Sequence, residues 1–489
     1  MCIQVVVCSP VLLLRISRLT SLLTHLFSCQ GLLARQKFRK REIFSMESFG
    51  RISRLISSAV VLVVLLVVTA SVFYLRAGIT THAAKPTTLV SHTIRLHPHY
   101  KLAGNIPASG GALFSCQSVS ASIRCYAPRQ MRKAYDIEAL LDSGLNGAGR
   151  TIVIIDAYQS PTISHDLNAF DRVFGLRTPT LNIISPDGLT PFDPKNPVQV
   201  GWSGEITLDV EWAHAIAPDA TIDLVLAKSN ADVDILSATT YAVNNNLGDV
   251  ISQSFGEAEA CASPNLLRQE HQLFQQATAQ GMTLIASSGD MGAAQPTCDG
   301  SSVMLAVSTP ANDPLVTAVG GTYLNASPVW GTYHGEAAWR DGFGASGGGF
   351  SSIYAHPSYQ KGMFTSSQRG LPDVAYDGDV NSGVLVVWSS SGVGQNLLFI
   401  FGGTSAGSPQ WAGITAIADQ YFGTRLGSLN PAIYHAGRHN YAACFHDITA
   451  GSNTFDGIGG YTTRQGWDPV TGWGTPIANA LVPLLNWTK

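Results

Sequence analysis

The chain has 489 residues, of which 45% are hydrophobic and 13% charged, with 48 glycines and 24 prolines; this excludes a disordered or coiled-coil protein and supplies a large core. Residues 1–84 hold ten of the 30 Lys and Arg but two of the 33 Asp and Glu, so the remainder carries a net charge of -11. A body this poor in cations excludes nucleic acid as an expected partner, because phosphate binding needs clustered Lys and Arg.

The first predicted element is a 21-residue segment without a charge, residues 55–75, bounded by Arg54 and Arg76. Its length suits a transmembrane helix, and the basic residues before it favour an N-in, C-out orientation. It is equally typical of a cleaved signal, because Val68-Thr69-Ala70 offers small residues at a cleavage position. We therefore expect an extracytoplasmic protein that is either anchored in the membrane through residues 55–75 or secreted.

The regions on either side of this segment show no folded pattern. Residues 1–54 comprise a basic flank and, before it, a segment that we interpret as an extension of the gene model. Arg15-Ile-Ser-Arg-Leu19 recurs as Arg51-Ile-Ser-Arg-Leu55, and Met46 resembles a normal translation start. Residues 76–126 lack alternating helices and strands, so we predict a linker and a short lead-in there.

Cysteine usage agrees with export. Cys116 and Cys125 are nine residues apart in a polar stretch, so a local disulfide is plausible. Cys261 and Cys298 follow predicted strands and could form a second disulfide, which leaves Cys444 over.

From residue 127 to 489 the chain is predicted to be one α/β catalytic domain. Short apolar runs alternate with amphipathic stretches, which predicts a mostly parallel sheet with helices on both faces and a ligand site at the carboxyl ends of its strands. The predicted strands are Thr151–Asp156, Thr221–Ala227, Asp249–Ser252, Met282–Ser287 and Leu315–Gly320. The predicted helices are Ser164–Phe174, Ser203–Ile216, Val233–Asn245, Pro264–Gln280 and Pro409–Tyr421.

One motif suggests a nucleophile. In Phe401-Gly-Gly-Thr-Ser-Ala-Gly-Ser-Pro409 an apolar run meets glycines, then Ser405, then a predicted helix. A serine at the start of a helix lies where backbone N–H groups can stabilise an oxyanion. The alternative is a capping serine in a glycine-rich turn.

A second motif supplies carboxyl groups instead of an imidazole. On a helix, Glu205 and Asp209 are separated by four residues and lie about 40° apart, on one face. Glu211 is about 200° from Asp209 and is predicted to be solvated, and His214 lies opposite Glu205. Two adjacent carboxyls cannot both ionise easily, so the pair can act as a general base at acidic pH. The alternative is two like charges on a solvated face.

A third motif places an acid at the end of a strand. In Ala286-Ser-Ser-Gly-Asp-Met-Gly292, Asp290 follows an apolar run. A carboxyl group beside an oxyanion helps only when it is protonated, which again requires low pH. Alone, this motif is more typical of a strand-to-loop turn.

Together the three motifs resemble the sedolisin family, the serine-carboxyl peptidases, which have a subtilisin-like fold. The resemblance covers residues 127–489. It implies that Ser405 is the nucleophile, Glu205 the base with Asp209 behind it, and Asp290 the acid that stabilises the oxyanion.

The resemblance also implies further functional residues. Asp156 matches a supporting acid, and Ser254-Phe255-Gly256 matches a strand that pairs with the substrate backbone. Two C-terminal segments resemble the family's calcium loop, and oxygen ligands from side chains and backbone suit one Ca²⁺ ion. The implied ligands are the carboxylates of Asp447 and Asp468 and the carbonyls of Ile448, Arg464 and Gly466.

One feature departs from the family. Its members often carry a long pro-domain, whereas about 50 residues separate Arg76 from Tyr126. Activation control is therefore lost, or is supplied by a separate chain, or the protein is not a standard secreted zymogen.

The sequence thus predicts a monomeric serine peptidase, an endopeptidase or a tripeptidyl-peptidase, that acts on polypeptides at acidic pH. Two alternatives remain. Residues 403–407 spell Gly-x-Ser-x-Gly, the nucleophile motif of α/β-hydrolase esterases, for which the adjacent His446 and Asp447 would have to serve. The other alternative is a non-catalytic cell-surface protein on the same fold.

Overall fold

The computed structural model describes residues 93–94, 99–106, 114–118 and 120–487. The expectations for residues 1–54 and for the apolar segment 55–75 lie outside these ranges. The helices are α1 (Pro128–Ala134), α2 (Glu138–Asp142), α3 (Ile163–Phe174), α4 (Pro197–Ile216), α5 (Asp232–Asn244), α6 (Pro264–Ala279), α7 (Gly407–Phe422), α8 (Asn430–His439), α9 (Tyr441–Cys444) and α10 (Ala478–Leu481). The strands of the large sheet are β2 (Thr151–Ala157), β3 (Leu181–Ile184), β4 (Thr221–Ala227), β5 (Val250–Gln253), β7 (Thr283–Ser287), β11 (Val316–Ala326), β12 (Tyr333–Ala338) and β15 (Val374–Asp377).

The remaining strands form small sheets. They are β1 (His99–Asn105), β6 (Glu257–Ala258), β8 (Ala294–Pro296), β9 (Val303–Leu305), β10 (Ser308–Thr309), β13 (Gly349–Ala355), β14 (Gln368–Leu371), β16 (Val384–Val387), β17 (Leu397–Gly402), β18 (Phe445–His446) and β19 (Thr475–Pro476). β1, β17 and β16 make a three-stranded antiparallel sheet, and the others pair two by two.

The large sheet has the order β12-β11-β7-β5-β2-β4-β3, with β15 paired to β11. Apart from the antiparallel pair of β11 and β12, its strands are parallel. Strand β2 is buried on both faces of this sheet. Ile152 and Ile154 belong to one hydrophobic cluster, and Val153 and Ile155 belong to the cluster on the other face. A strand buried on both faces must be apolar throughout, as the sequence predicted.

Helices cover both faces of this sheet. Helices α4 and α7 pack on one face and α5 and α6 on the other. Helix α4 begins at Pro197 after Asn196, whose side chain accepts hydrogen bonds from the Val198 and Gln199 amides. This cap satisfies free N–H groups at the first turn. The predicted strands and helices are therefore present, with their ends shifted by a few residues.

The lead-in differs from the expected linker. It contains strand β1, which pairs antiparallel with β17 so that His99 lies opposite Gly402. Nearer the start, Ile94 exchanges hydrogen bonds with Asn230, in the loop after β4. Part of residues 76–126 therefore belongs to the folded body.

The membrane and transmembrane expectation needs correction. Among the residues that the structure describes, no helix is both long and apolar enough to cross a bilayer. The two expected disulfides are present, joining Cys116 to Cys125 and Cys261 to Cys298, and Cys444 is a buried free thiol.

Candidate active site

Three neighbouring strands deliver polar groups to one edge of the sheet. Strands β7, β5 and β2 are adjacent and parallel, so their carboxyl ends meet. Asp156 lies at the end of β2, Ser254 directly follows β5, and Asp290 lies three residues after β7. The carboxyl edge of a parallel sheet is where ligand sites form.

Ser405 reaches this edge from the three-stranded sheet, on the turn that follows β17. Strand β17 ends at Gly402, Gly403 has a φ of +104°, and a short 3-10 turn over Thr404–Ala406 leads into α7. The Ser405 hydroxyl donates a hydrogen bond to the Ser254 carbonyl oxygen at 3.2 Å. The serine is 8% exposed, so its hydroxyl lies at the base of a cleft.

Helix α4 brings two carboxyl groups to Ser405. Glu205 and Asp209 are both buried, and the Ser405 side chain is close enough to the Glu205 carboxyl to lower its pKa. Burial raises the pKa of Glu205 well above its usual range, and the charge of Asp209 raises it further. A carboxylate with a raised pKa is a stronger base than an exposed one.

Asp156 completes a buried group of three carboxyls. Burial raises the pKa of Asp156 well above its usual range, and the charge of Glu205 adds to this. Burial and the charge of Asp156 raise the pKa of Asp209, while the Ser254 side chain opposes that shift. These three carboxyls therefore hold protons at pH values at which exposed ones are ionised.

Asp290 contacts the nucleophile loop, residues 403–405, at the two residues before Ser405. Its Oδ1 accepts hydrogen bonds from the Thr404 backbone N–H and from the Thr404 hydroxyl, both at 2.7 Å. A Cβ on Gly403 would lie 2.6 Å from Asp290 Oδ2, so only glycine allows this close approach. The carboxyl of Asp290 is therefore held against the residues that precede Ser405.

A cleft joins Ser405 and Asp290, and the predicted substrate strand Ser254-Phe255-Gly256 forms part of its wall. Phe255 is buried and its ring lies 6.2 Å from that of Trp202. Gly256 has no room for a side chain, since a Cβ would meet Ser308 Oγ at 2.1 Å. The cleft is lined by Ser254, Phe255, Gly256, Ser287, Gly289, Asp290, Met291, Gln295, Ser308, Thr404 and Ser405.

Two other side chains of α4 lie away from the cleft. The expectation that Glu211 is solvated is wrong: it is fully buried and accepts a hydrogen bond from the Val387 amide at 3.0 Å. His214 is also buried, with Nε2 3.0 Å from Asp171. Every residue of α4 from Trp202 to Ile216 is buried, so this helix has no solvated face there.

The histidine required by an esterase is engaged elsewhere. The His446 ring stacks on Tyr333 with 3.7 Å between centroids, and burial lowers its pKa to about 4. Asp447 accepts hydrogen bonds from the Tyr441 hydroxyl and from the Gly466 amide.

The two predicted calcium segments contact each other at Asp447. Its Oδ1 accepts a hydrogen bond from the Gly466 amide at 3.2 Å and another from the Tyr441 hydroxyl. Asp468 Oδ2 accepts a hydrogen bond from the Arg464 amide, and Oδ1 accepts from the amides at 470 and 471. The described residues contain no cluster of three or more His, Cys, Asp or Glu suited to a metal, and the predicted set has two carboxylates. Ile448, which directly follows Asp447, is buried.

Two residues at the cleft were missed by sequence reasoning. Thr404 lies within the motif around Ser405, so its position was a signal, but its hydrogen bonds to Asp290 were not foreseen. His99 lies 3.9 Å from Asp290 and had no signal, because β1 falls in a stretch without a recognisable pattern.

The chain is similar in sequence and in structure to known proteins. Residues 203–446 match the subtilase family. Kumamolisin from Bacillus sp. (strain MN-32) is 33% identical over 407 residues, which cover 79% of this chain and 68% of kumamolisin. The chain belongs to the sedolisin family.

Structure and a second relative agree with membership of the sedolisin family. The structure of Pseudomonas sedolisin, a serine-carboxyl proteinase, was solved with two molecules of pseudo-iodotyrostatin. It matches with a TM-score of 0.64 and 30% identity, and the match covers 74% of this chain and 98% of the solved sedolisin chain. Rat tripeptidyl-peptidase 1 is 32% identical over 271 residues, which cover 49% of this chain and 44% of that protein. The matches thus span between 44% and 68% of the two curated relatives' lengths. The predicted subtilisin-like fold and the peptidase class are confirmed.

Proposed function

We propose that this chain hydrolyses peptide bonds at acidic pH by acyl transfer through Ser405. The observation that carries the proposal is the place of Ser405 beside Glu205: the serine side chain lowers the pKa of the buried Glu205 carboxyl, while its hydroxyl is hydrogen-bonded to the Ser254 carbonyl oxygen at 3.2 Å. A serine is a weak nucleophile unless a base takes its proton, and Glu205 is the base against it.

In the first half of the reaction the buried group of three carboxyls has lost one proton. Glu205 in this form takes the proton from Ser405 Oγ, while Asp209 stays protonated behind it. The oxygen attacks the substrate carbonyl carbon and forms a tetrahedral intermediate. The C–N bond then breaks, and Glu205 gives its proton to the leaving amine. The product is an acyl ester on Ser405.

Asp290 in its protonated form donates a hydrogen bond to the oxyanion, beside the Ser405 backbone N–H. One such donor is worth about 10²–10³ in rate. Only the neutral acid can donate, so the reaction requires low pH. In the second half Glu205 takes a proton from water and the water oxygen attacks the ester carbonyl carbon. The C–O bond to Ser405 then breaks, the carboxylic acid leaves, and Ser405 Oγ takes the proton back from Glu205.

The substrate is a polypeptide whose backbone lies along residues 254–256 as an added strand. The place of these three residues on the wall of the cleft supports this. Relatives named as a proteinase and as a tripeptidyl-peptidase make internal cleavage and removal of tripeptides the two candidate modes. Asp156 serves as a supporting acid behind Glu205 and Asp209.

We further propose one Ca²⁺ ion in the loops around Asp447 and Asp468, with carbonyl ligands from Ile448, Arg464 and Gly466. An all-oxygen donor set with two carboxylates fits calcium. When bound, the ion ties two loops together and takes no part in the acyl transfer. The two disulfides support an extracytoplasmic location, since such bonds persist in oxidising compartments.

The test is a digest of a peptide mixture from pH 2.5 to 8, read by mass spectrometry. The wild type should cleave below pH 7, and Ser405→Ala should not. Ser408→Ala is the matched control, because Ser408 is a buried serine at the start of α7 that bonds Ser252 at 2.9 Å. Peptide cleavage by Ser405→Ala, or an inert wild type, overturns the proposal; an inert wild type favours a binding protein.

A further inference from the structure

The polar contacts of Thr404 determine which oxygen of Asp290 can carry a proton. Asp290 Oδ1 accepts from two groups of Thr404, whereas Oδ2 accepts no hydrogen bond from the part of the chain that the structure describes. The two oxygens of one carboxyl therefore differ in their surroundings.

The direction of these hydrogen bonds follows from the donors available. The Gly289 amide can only donate, and it donates to Thr404 Oγ1 at 3.1 Å. The Thr404 amide can only donate as well, and its acceptor is Asp290 Oδ1. The Thr404 hydroxyl then keeps one hydrogen, and its acceptor is the same Oδ1.

We infer that Thr404 is a positioning residue that keeps Asp290 Oδ1 as an acceptor and so places the acidic proton on Oδ2, facing the cleft. The inference rests on the proposed function and adds to it the side chain that orients the oxyanion donor. Oδ2 lies against the bare Cα of Gly403, two residues before Ser405. A proton on Oδ1 would lie beside the Thr404 amide hydrogen and would leave the hydroxyl hydrogen of Thr404 without this acceptor.

The same contacts predict the effect of a substitution. Without the Thr404 hydroxyl, Asp290 Oδ1 keeps only the hydrogen bond from the Thr404 amide, so the orientation of the acidic proton is fixed by one contact instead of two and the reaction should slow.

The test compares Thr404→Val, which keeps the shape but loses the hydroxyl, with Thr404→Ser, which keeps the hydroxyl. We measure kcat and KM on a fluorogenic peptide from pH 2.5 to 7, with thermal melting to verify folding. For Thr404→Val we expect kcat to fall about tenfold at the best pH and KM to stay within about twofold. Thr404→Ser should restore kcat.

A second readout needs no turnover. A peptide aldehyde, which forms a hemiacetal on a serine, should lose affinity for Thr404→Val, whereas the matching peptide alcohol should not. If Thr404→Val matches the wild type, or if Thr404→Ser is equally slow, the inference is wrong while the peptidase proposal stands. An inert wild type overturns both.

Discussion

The imidazole Nε2 of His99 lies 3.9 Å from Oδ2 of Asp290. His99 is held there by the pairing of β1 with β17 and by edge contacts with the rings of Trp339 and Phe343. Strand β17 continues directly into the nucleophile loop. The lead-in therefore touches the side of the cleft where the oxyanion is proposed to form.

The first prediction concerns access to this side. His99→Ala should lower KM for peptides about threefold or more, because it removes a ring that stands beside Asp290. Leu102→Ala is the control, since Leu102 lies on the same strand but is 54% exposed. Steady-state kinetics at the optimal pH measure both. Equal effects of the two variants, or a raised KM for His99→Ala, would show that His99 does not restrict the cleft.

The second prediction separates two buried glutamates of one helix. Glu205→Gln should lower kcat/KM by at least about 10²-fold, because the amide cannot accept the Ser405 proton. Glu211→Gln should retain activity within about threefold, since Glu211 contacts the Val387 amide instead of Ser405. Both carboxyls have pKa values raised by burial, so the pair controls for loss of a buried charge. Equal losses in the two variants would contradict the role of Glu205.

The third prediction is that the folded state is most stable in acid. Burial raises the pKa of Glu257 and of Glu270 to about 8. A carboxyl with a raised folded-state pKa binds more protons in the native than in the unfolded state. Its stabilising contribution is complete below the ordinary value and is lost as the pH rises through the raised one.

Thermal melting from pH 3 to 9 measures this dependence. The midpoint temperature should fall between about pH 4.5 and 8, the window set by the unfolded and folded values. Glu257→Gln should make the fall shallower, with activity retained. A midpoint that rises across this window would refute the assignment.

The fourth prediction concerns the proposed calcium loop. Removing Ca²⁺ with EGTA near neutral pH should lower the melting temperature by several degrees, because ligand binding to the native state alone stabilises it. Asp447→Asn should have a lower melting temperature and respond less to EGTA. Added Ca²⁺ should restore the wild type but Mg²⁺ should not. A wild type that EGTA leaves unchanged, and that contains no calcium by elemental analysis, would remove the site.

The parts of the fold that the sequence predicted are those with local signals. Strand β4 was predicted with its observed ends, because an apolar run bounded by turns needs no knowledge of its neighbours. Strand β1 could not be predicted, since its structure depends on pairing with β17, about 300 residues away. Such pairing leaves no periodic pattern in a short edge strand.

The site residues that the sequence predicted are likewise those that lie in local motifs. Ser405, Glu205 and Asp290 lie in motifs with a chemical rationale. The structure places Ser405 and Asp290 on one cleft and buries Glu205 near Ser405. Glu211 was misjudged because a helical wheel assumes one solvated face, whereas α4 is enclosed between the sheet and other elements. The contacts of Thr404 and His99 with Asp290 depend on side-chain geometry, which spacing alone does not give.

The central claim, acyl transfer through Ser405, is tested most directly by trapping the intermediate. A slow ester or peptide substrate is mixed with the enzyme at its acidic optimum, quenched with strong acid, and digested for mass spectrometry. The account predicts a substrate-derived acyl group on Ser405, absent in Ser405→Ala and much slower to form in Glu205→Gln. An acyl group on another residue, or turnover by Ser405→Ala, would contradict it.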